Sequence, residues 1–247
     1  MDRFIYVAMT GASEALKLQA TNSHNLANVS TTGFRTDLAL FQARQVAGAG
    51  YPTRAYATAG GAGWNSSIGA VQTTGRPLDV AVDGPGWIAV QARDGREAYT
   101  RAGDLRVDAD GLLTNGAGHP VLGDGGPIVL PPYASLAIGV DGSVSIVPQG
   151  QGPETVAQVG RIKLVDPPAV DLVKRDDGLF RLRDGSDAPA SAGVRLVQGT
   201  LETSNVNVAD ALVTMIELGR RFELAVKAMR TAEENGAAAS QLLRVQS

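Results

Sequence analysis

A chain with two histidines and no cysteine has few ways to do chemistry. His24 and His119 have no thiol and no further imidazole to join them, so the usual ligand sets for zinc, copper or iron are missing. A serine triad would need one of these imidazoles, and no G-x-S-x-G elbow occurs. Asp108-Ala109-Asp110-Gly111 has the opening of a calcium loop, but the twelfth position from Asp108 is His119 in place of a bidentate carboxylate. A hairpin turn is the better reading there. Gly60-Gly61-Ala62-Gly63 is not followed by Gly-Lys-Ser/Thr, so no phosphate cradle forms. A glycan-cutting enzyme would need two carboxylates in a cleft, and the middle of the chain offers only Glu97 and Glu154 as glutamates, neither in a recognisable motif. No catalytic, metal-binding or cofactor-binding residue is assigned; no cofactor is expected, and no enzyme. The formal charge of −3 gives no basic face for nucleic acid, and no small-molecule substrate is expected either.

The elements around these residues are set by proline. All 12 prolines lie between Pro52 and Pro189. A proline inside a helix costs about 3 kcal/mol, so long helices belong at the two ends. Near the C-terminus Ala211, Met215, Leu218, Phe222, Ala225, Met229, Ala232, Gly236, Ala239 and Leu243 repeat steps of four and three. Near the N-terminus Ile5, Met9, Ala12, Leu16, Gln19, Ser23 and Leu26 do the same. Such a stripe is the seam on which another helix packs, either within the chain or between copies. Asn207 or Ser204 can cap the second helix. Met1–Leu26 is too interrupted by charge to be a signal peptide or a membrane span.

The middle is a different material. Short apolar runs recur at Leu78–Val82, Trp87–Gln91, Leu105–Val107, Ile128–Leu130, Leu136–Val140, Val144–Val147, Val159–Val165, Leu179–Leu182 and Val194–Val197. Asp-Gly occurs seven times among them, which predicts antiparallel hairpins with type I′ turns. Residues 47–70 read as a flexible or extended connector. The fold class is therefore α+β: terminal helices pairing as a coiled-coil domain (1–33 with 205–247), a connector region (34–77 with 183–204) and a β-rich antiparallel outer domain (78–182).

Two motifs add a resemblance. Asn25-Leu26-Ala27-Asn28-Val29-Ser30-Thr31-Thr32-Gly33-Phe34-Arg35 resembles the N-L-A-N-x-x-T-x-G-[FY]-[KR] signature of the bacterial flagellar rod, hook and hook-associated axial proteins. Gly199-Thr200-Leu201-Glu202-Thr203-Ser204-Asn205-Val206-Asn207 is similar to their paired G-x-L-E-x-S-N-V-[ND] signature. The signature residues singled out are Asn25, Leu26, Ala27, Asn28, Gly33, Phe34, Ser204, Asn205 and Val206. Gly33 is expected at positive φ and Phe34 in an apolar gap. Within the family the resemblance is to proximal-rod members, on Met1–Tyr6 and on Trp87 after Gly86; the distal rod protein FlgG is the alternative, and a periplasmic ligand-binding module a more distant one. The resemblance implies a structural subunit that assembles with itself into an axial tube carrying motor torque. It implies an assembly interface through Ile5, Met9, Leu16, Leu26, Ala211, Met215, Leu218, Phe222, Met229 and Leu243. It further implies the rod proteins FlgC and FlgG as neighbours, and passage through the flagellar type III export apparatus without a cleaved signal peptide. The destination would be the basal-body rod in the periplasm.

Overall fold

The structure, a computed structural model, describes residues 2–45, 55–152 and 154–245, with side-chain surroundings for 5–39, 63–152 and 154–241. It is α+β and divides into two compact units. One unit holds both terminal helices and a β-hairpin. The other holds residues 28–35 and 66–205.

In the first unit, α1 spans Asp2–Ala27 and α2 spans Val208–Val245. Asn207 caps α2: its Oδ1 accepts from the Ala209 N–H at 3.0 Å, and Asp210 places its charge in the first turn, where the helix dipole favours it. Ser204 is not needed for that role. The hairpin pairs β1 (Asp37–Gln45) with β2 (Ala55–Trp64) from Asp37↔Trp64 to Gln45↔Ala55, with a bulge between Ala39 and Phe41. Packing brings α1 against both α2 and the hairpin. The stretch expected as a connector over 47–70 is thus partly a strand, while 46–54 lie outside the described residues. A ladder uses backbone N–H and C=O groups, which Ala and Gly supply as well as any residue. Their side chains simply give no alternation to read.

The second unit is built of short antiparallel strands. A five-stranded sheet runs in the order 164–165, 87–91, 97–100, 180–182, 172–174. A three-stranded sheet joins Tyr133–Ile138, Ser143–Pro148 and Ala157–Arg161. Late strands return to early ones: Arg195–Gln198 pairs with Val80–Asp83, and Thr200–Glu202 with Val71–Thr73. Val80, Ile88, Val90, Leu105, Leu113, Val121 and Val144 are fully buried at its centre. Burial of this kind, at about 25 cal/mol per Å² of apolar surface, is what the short strands share in place of length.

The expected boundaries shift in two places. Residues 28–35 belong to the β-rich unit, because the Gly33 N–H donates to the Glu202 carbonyl at 2.8 Å and Arg35 pairs with Glu202. Residues 183–204 belong to it as well, through the strand pairings just given.

The turns also differ from expectation. Among the described residues only glycines have positive φ, whereas type I′ needs two such residues in a row. At Ala92–Arg96 the Gly95 N–H donates to the Ala92 carbonyl and the Ala92 N–H to the Arg96 carbonyl, both at 2.9 Å. The same pattern recurs at Asp108–Leu112, Gly139–Ser143 and Arg175–Leu179. These are three-residue hairpin loops with only the glycine left-handed. Aspartate stays right-handed because its carboxylate accepts the N–H two residues on, as Asp94 does from Arg96, Asp141 from Ser143 and Asp177 from Leu179.

Candidate functional site: the helix stripes and the signature segments

On α2 the expected stripe is the shielded face. Ala211, Leu218 and Ala232 are buried, and Met215, Phe222, Ala225, Met229, Gly236 and Ala239 half-buried. The side chain of Leu243 lies outside the described residues. Off the stripe, Leu212, Val213, Ile216 and Leu224 are exposed by 46–66%.

On α1 the shielded positions are displaced from the expected ones. Ile5 and Leu26 are half-buried, but Met9 and Leu16 are each 51% exposed. Burial runs instead through Ile5, Ala8, Ala12, Ala15, Gln19, Asn22 and Leu26. Both series pass through 5, 12, 19 and 26; they differ in whether the step of three or of four comes first. Size drew the sequence reading to Met9 and Leu16, whereas alanine lets two helix backbones approach. The Asn22 side-chain amide donates to the Ala211 carbonyl at 2.7 Å, where α1 meets α2.

The signature residues do separate jobs. Asn25, buried at the end of α1, donates to the Asp37 carbonyl at 2.9 Å and accepts from the Asp37 N–H at 2.8 Å. It thereby satisfies both backbone groups at the start of β1. Leu26 is half-buried and Ala27 exposed. Asn28 takes part in the turn that follows, its side-chain oxygen accepting from the Thr31 hydroxyl at 3.1 Å. Gly33 has φ 66°, as expected, and a Cβ there would stand 2.3 Å from the Arg101 carbonyl carbon. Phe34 is buried beneath the Lys174 ammonium, 3.9 Å from the ring centroid, and that ammonium donates to the Arg35 carbonyl at 2.7 Å. Asn205 donates from its backbone to the Phe34 carbonyl at 3.2 Å and from its side chain to the Ser67 carbonyl at 2.9 Å. Ser204 and Val206 are half-buried.

The centre of the site was not singled out from sequence. Glu202, with a fully buried side chain, lies between Arg35 and Arg101, whose side chains are 1% and 4% exposed. Arg35 Nη1 is 2.5 Å from Oε1, off the line a hydrogen bond needs, so that contact is ionic; Arg101 Nη1 donates to Oε2 at 3.0 Å. Both guanidiniums face the Trp87 ring, at 5.9 and 5.5 Å from its centroid. Burial pushes the Arg101 pKa down, Glu202 pushes it back up, and Arg35 opposes Glu202. Arg35, Trp87 and Glu202 stand inside stretches with a readable pattern and Arg101 does not, and no spacing links 35, 87, 101 and 202. The one available signal was an Arg and a Glu amid residues otherwise suited to turns.

Nothing here moves a proton or presents a nucleophile. Among the described residues no group of three His, Cys, Asp or Glu side chains is placed to hold a metal, and no helix is long and apolar enough to cross a membrane. A hollow of about 680 Å³, within the range of small-ligand sites, lies among Pro167, Pro168, Leu182, Asp171 and Asp184 and is the feature a ligand-binding module would use.

Comparison with known proteins adds three matched stretches. The profile described as "Flagella basal body rod protein" matches residues 5–35, "Flagellar hook protein FlgE/F/G D1 domain" matches 81–146, and "Flagellar basal body rod FlgEFG protein C-terminal" matches 197–242. The flagellar basal-body rod protein FlgF of Salmonella typhimurium is 43% identical over 98% of this chain and 99% of its own length. The chain belongs to the flagellar basal-body rod protein family. The FlgF rod protein of Escherichia coli matches equally, at 43% over the same shares. The FlgG rod protein of Bacillus subtilis is 34% identical over 95% of this chain and 96% of its own, so the distal-rod alternative is not favoured. Like these relatives, this rod protein is a structural subunit of the basal body and not an enzyme.

Proposed function

We propose that this rod-family chain is a subunit of the proximal rod, self-assembling into the axial tube that carries motor torque towards the hook. In this reading the terminal helices, α1 and α2, pair as a coiled coil and pack with those of other copies. The β-rich unit, 28–35 with 66–205, meets lateral neighbours. The neighbours are further copies, FlgC and FlgG, reached in the periplasm after type III export without a cleaved signal peptide.

The observation that carries the reading is the large apolar surface left on the terminal helices. Tyr6, Met9 and Leu16 on α1 and Leu212, Val213, Ile216 and Leu224 on α2 are all exposed. Residues of this size on helix faces usually find a partner. Of the interface residues expected from sequence, Ile5, Leu26, Ala211, Met215, Leu218, Phe222 and Met229 are shielded within the chain, and in this reading the exposed Met9 and Leu16 make the contact between copies. A photo-crosslinker at Met9 or Leu16 in purified basal bodies tests it. Adducts to another copy or to a neighbouring rod protein are expected. Labelled basal bodies with no inter-subunit adduct from either position would reject the proposal.

A further inference from the structure

Glu202 ties together four stretches of the second unit. Its carboxylate meets Arg35 and Arg101 and accepts from the Gly69 N–H at 2.9 Å, while its backbone carbonyl accepts from Gly33. Arg101 also donates to the carbonyls of Val82 at 3.3 Å and Gly84 at 2.7 Å. Two guanidiniums share the one carboxylate they touch, and Asp166 is a further anion whose charge reaches Arg101. Nε of Arg35 and Nε of Arg101 are buried with no acceptor, which only the Trp87 ring face offsets. As a source of stability this is a poor arrangement. Apolar side chains of similar volume in place of a buried ion triad are often neutral or stabilising.

What the charges supply is discrimination between registers. Thr200–Glu202 pairs with Val71–Thr73 over three residues only, Thr200↔Thr73, Leu201↔Gln72 and Glu202↔Val71. So short a pairing specifies its register weakly, and a slip of one residue turns every side chain to the opposite face. An apolar side chain would make that slip cheap. With Glu202, the slip strands two buried guanidiniums without their anion. We infer that Arg35, Glu202 and Arg101 form a register latch, holding residues 33–35 and 199–203 at one position on the β-rich unit without being a main source of its stability. Trp87 is the wall against which the latch closes.

The test is hydrogen exchange at the amides of Gly33 and Thr203 in the full chain. Their acceptors are the backbone carbonyls of Glu202 and Ala70, which survive any side-chain change. The triple variant Arg35→Met, Arg101→Met, Glu202→Leu should melt at or above wild type, yet exchange about tenfold faster at these two amides while the core amide of Leu113 is unchanged. Arg101→Lys keeps the charge and loses the fork, and should also speed exchange at Gly33 and Thr203. Wild-type protection in either variant overturns the inference. So does a triple variant that melts well below wild type or fails to fold, since the cluster would then be a source of stability. Rod assembly plays no part in this measurement, so the latch and the proposed function stand or fall separately.

Discussion

Replacing Gly33 should be costly whatever the new side chain. Two separate effects meet at this residue. Its φ of 66° lies in the left-handed region, which costs an ordinary L-residue roughly 1–2 kcal/mol and asparagine less. On that ground alone Gly33→Asn would be tolerated far better than Gly33→Val. The surroundings argue otherwise. A Cβ would stand 2.3 Å from the carbonyl carbon of Arg101, 2.5 Å from its oxygen and 2.6 Å from the nitrogen of Ala102. Carbon atoms pack at about 3.5–4.0 Å, so backbone has to move by about 1 Å, an overpacking that costs about 1–3 kcal/mol. Moving it strains the 2.8 Å hydrogen bond from the Gly33 N–H to Glu202, worth about 0.5–1.5 kcal/mol. Gly33→Ala should therefore lose about 3–5 kcal/mol, with Gly33→Asn within about 1 kcal/mol of it, since asparagine relieves only the backbone preference. Urea unfolding followed by circular dichroism measures all three variants. An asparagine variant with a wild-type midpoint would show that the contact with Arg101 is not a constraint, and the steric half of the reasoning would fall.

Other outcomes follow from the same geometry. Asn25→Ala should cost about 1–3 kcal/mol in thermal or urea unfolding, because the Asp37 N–H and C=O lose their partner together; a change inside experimental error would mean water replaces the amide freely. Leu218→Asp places a charge at a position 2% exposed and should abolish a two-state melt of the helical unit, whereas Leu224→Asp, at 66% exposed, should leave the isolated chain's melting unchanged. Burial holds the Tyr99 phenol above its ordinary pKa, so the neutral form is favoured by the fold. That contribution is complete below about pH 10 and is lost as pH rises further, so Tyr99→Phe should flatten the alkaline end of a stability profile. Hydrogen bonds from Arg181 and Arg96 hold Asp94 well below the usual carboxylate range. Its contribution is present above about pH 4 and fades as pH falls, so Asp94→Asn should reduce the acid dependence of melting at low salt and make no difference at high salt.

The parts of the fold that could be read in the sequence are those with a period or a local chemical motif. The α2 stripe from Ala211 to Ala239 and the Asn207 cap are of that kind. So were the hairpin positions at Asp94, Asp141 and Asp177, although the turn type was not, because competition from the aspartate carboxylate does not show in a dipeptide. The α1 face misled because residues 5, 12, 19 and 26 fit two stripes, and only the tertiary partner chooses between them. Strands of two or three residues, such as Leu113–Thr114 and Leu172–Lys174, have too little length for alternation to show. Ile128–Leu130 looks like a strand and forms only a single bridge, Leu112↔Val129. The centre of the site was the least legible, since the signatures reveal neither that they meet nor on which residue. Arg35 and Glu202 become neighbours only when the whole β-rich unit has closed.

That closure has an order in time. Strands at Val71–Thr73 and Val80–Asp83 are made early in the chain, and their partners at Thr200–Glu202 and Arg195–Gln198 come near its end. Emerging from a ribosome or a narrow channel with its N-terminus first, the chain has to carry both early strands open until more than a hundred further residues have arrived. Such long-range pairing is slow, and an open strand edge is a template for the wrong partner. A product cut short before residue 195 would carry those edges permanently, with Val80 and Val82 uncovered beside them. Loss of the last fifth of this chain would therefore do more than remove a helix: it would leave the β-rich unit unclosed and prone to aggregate.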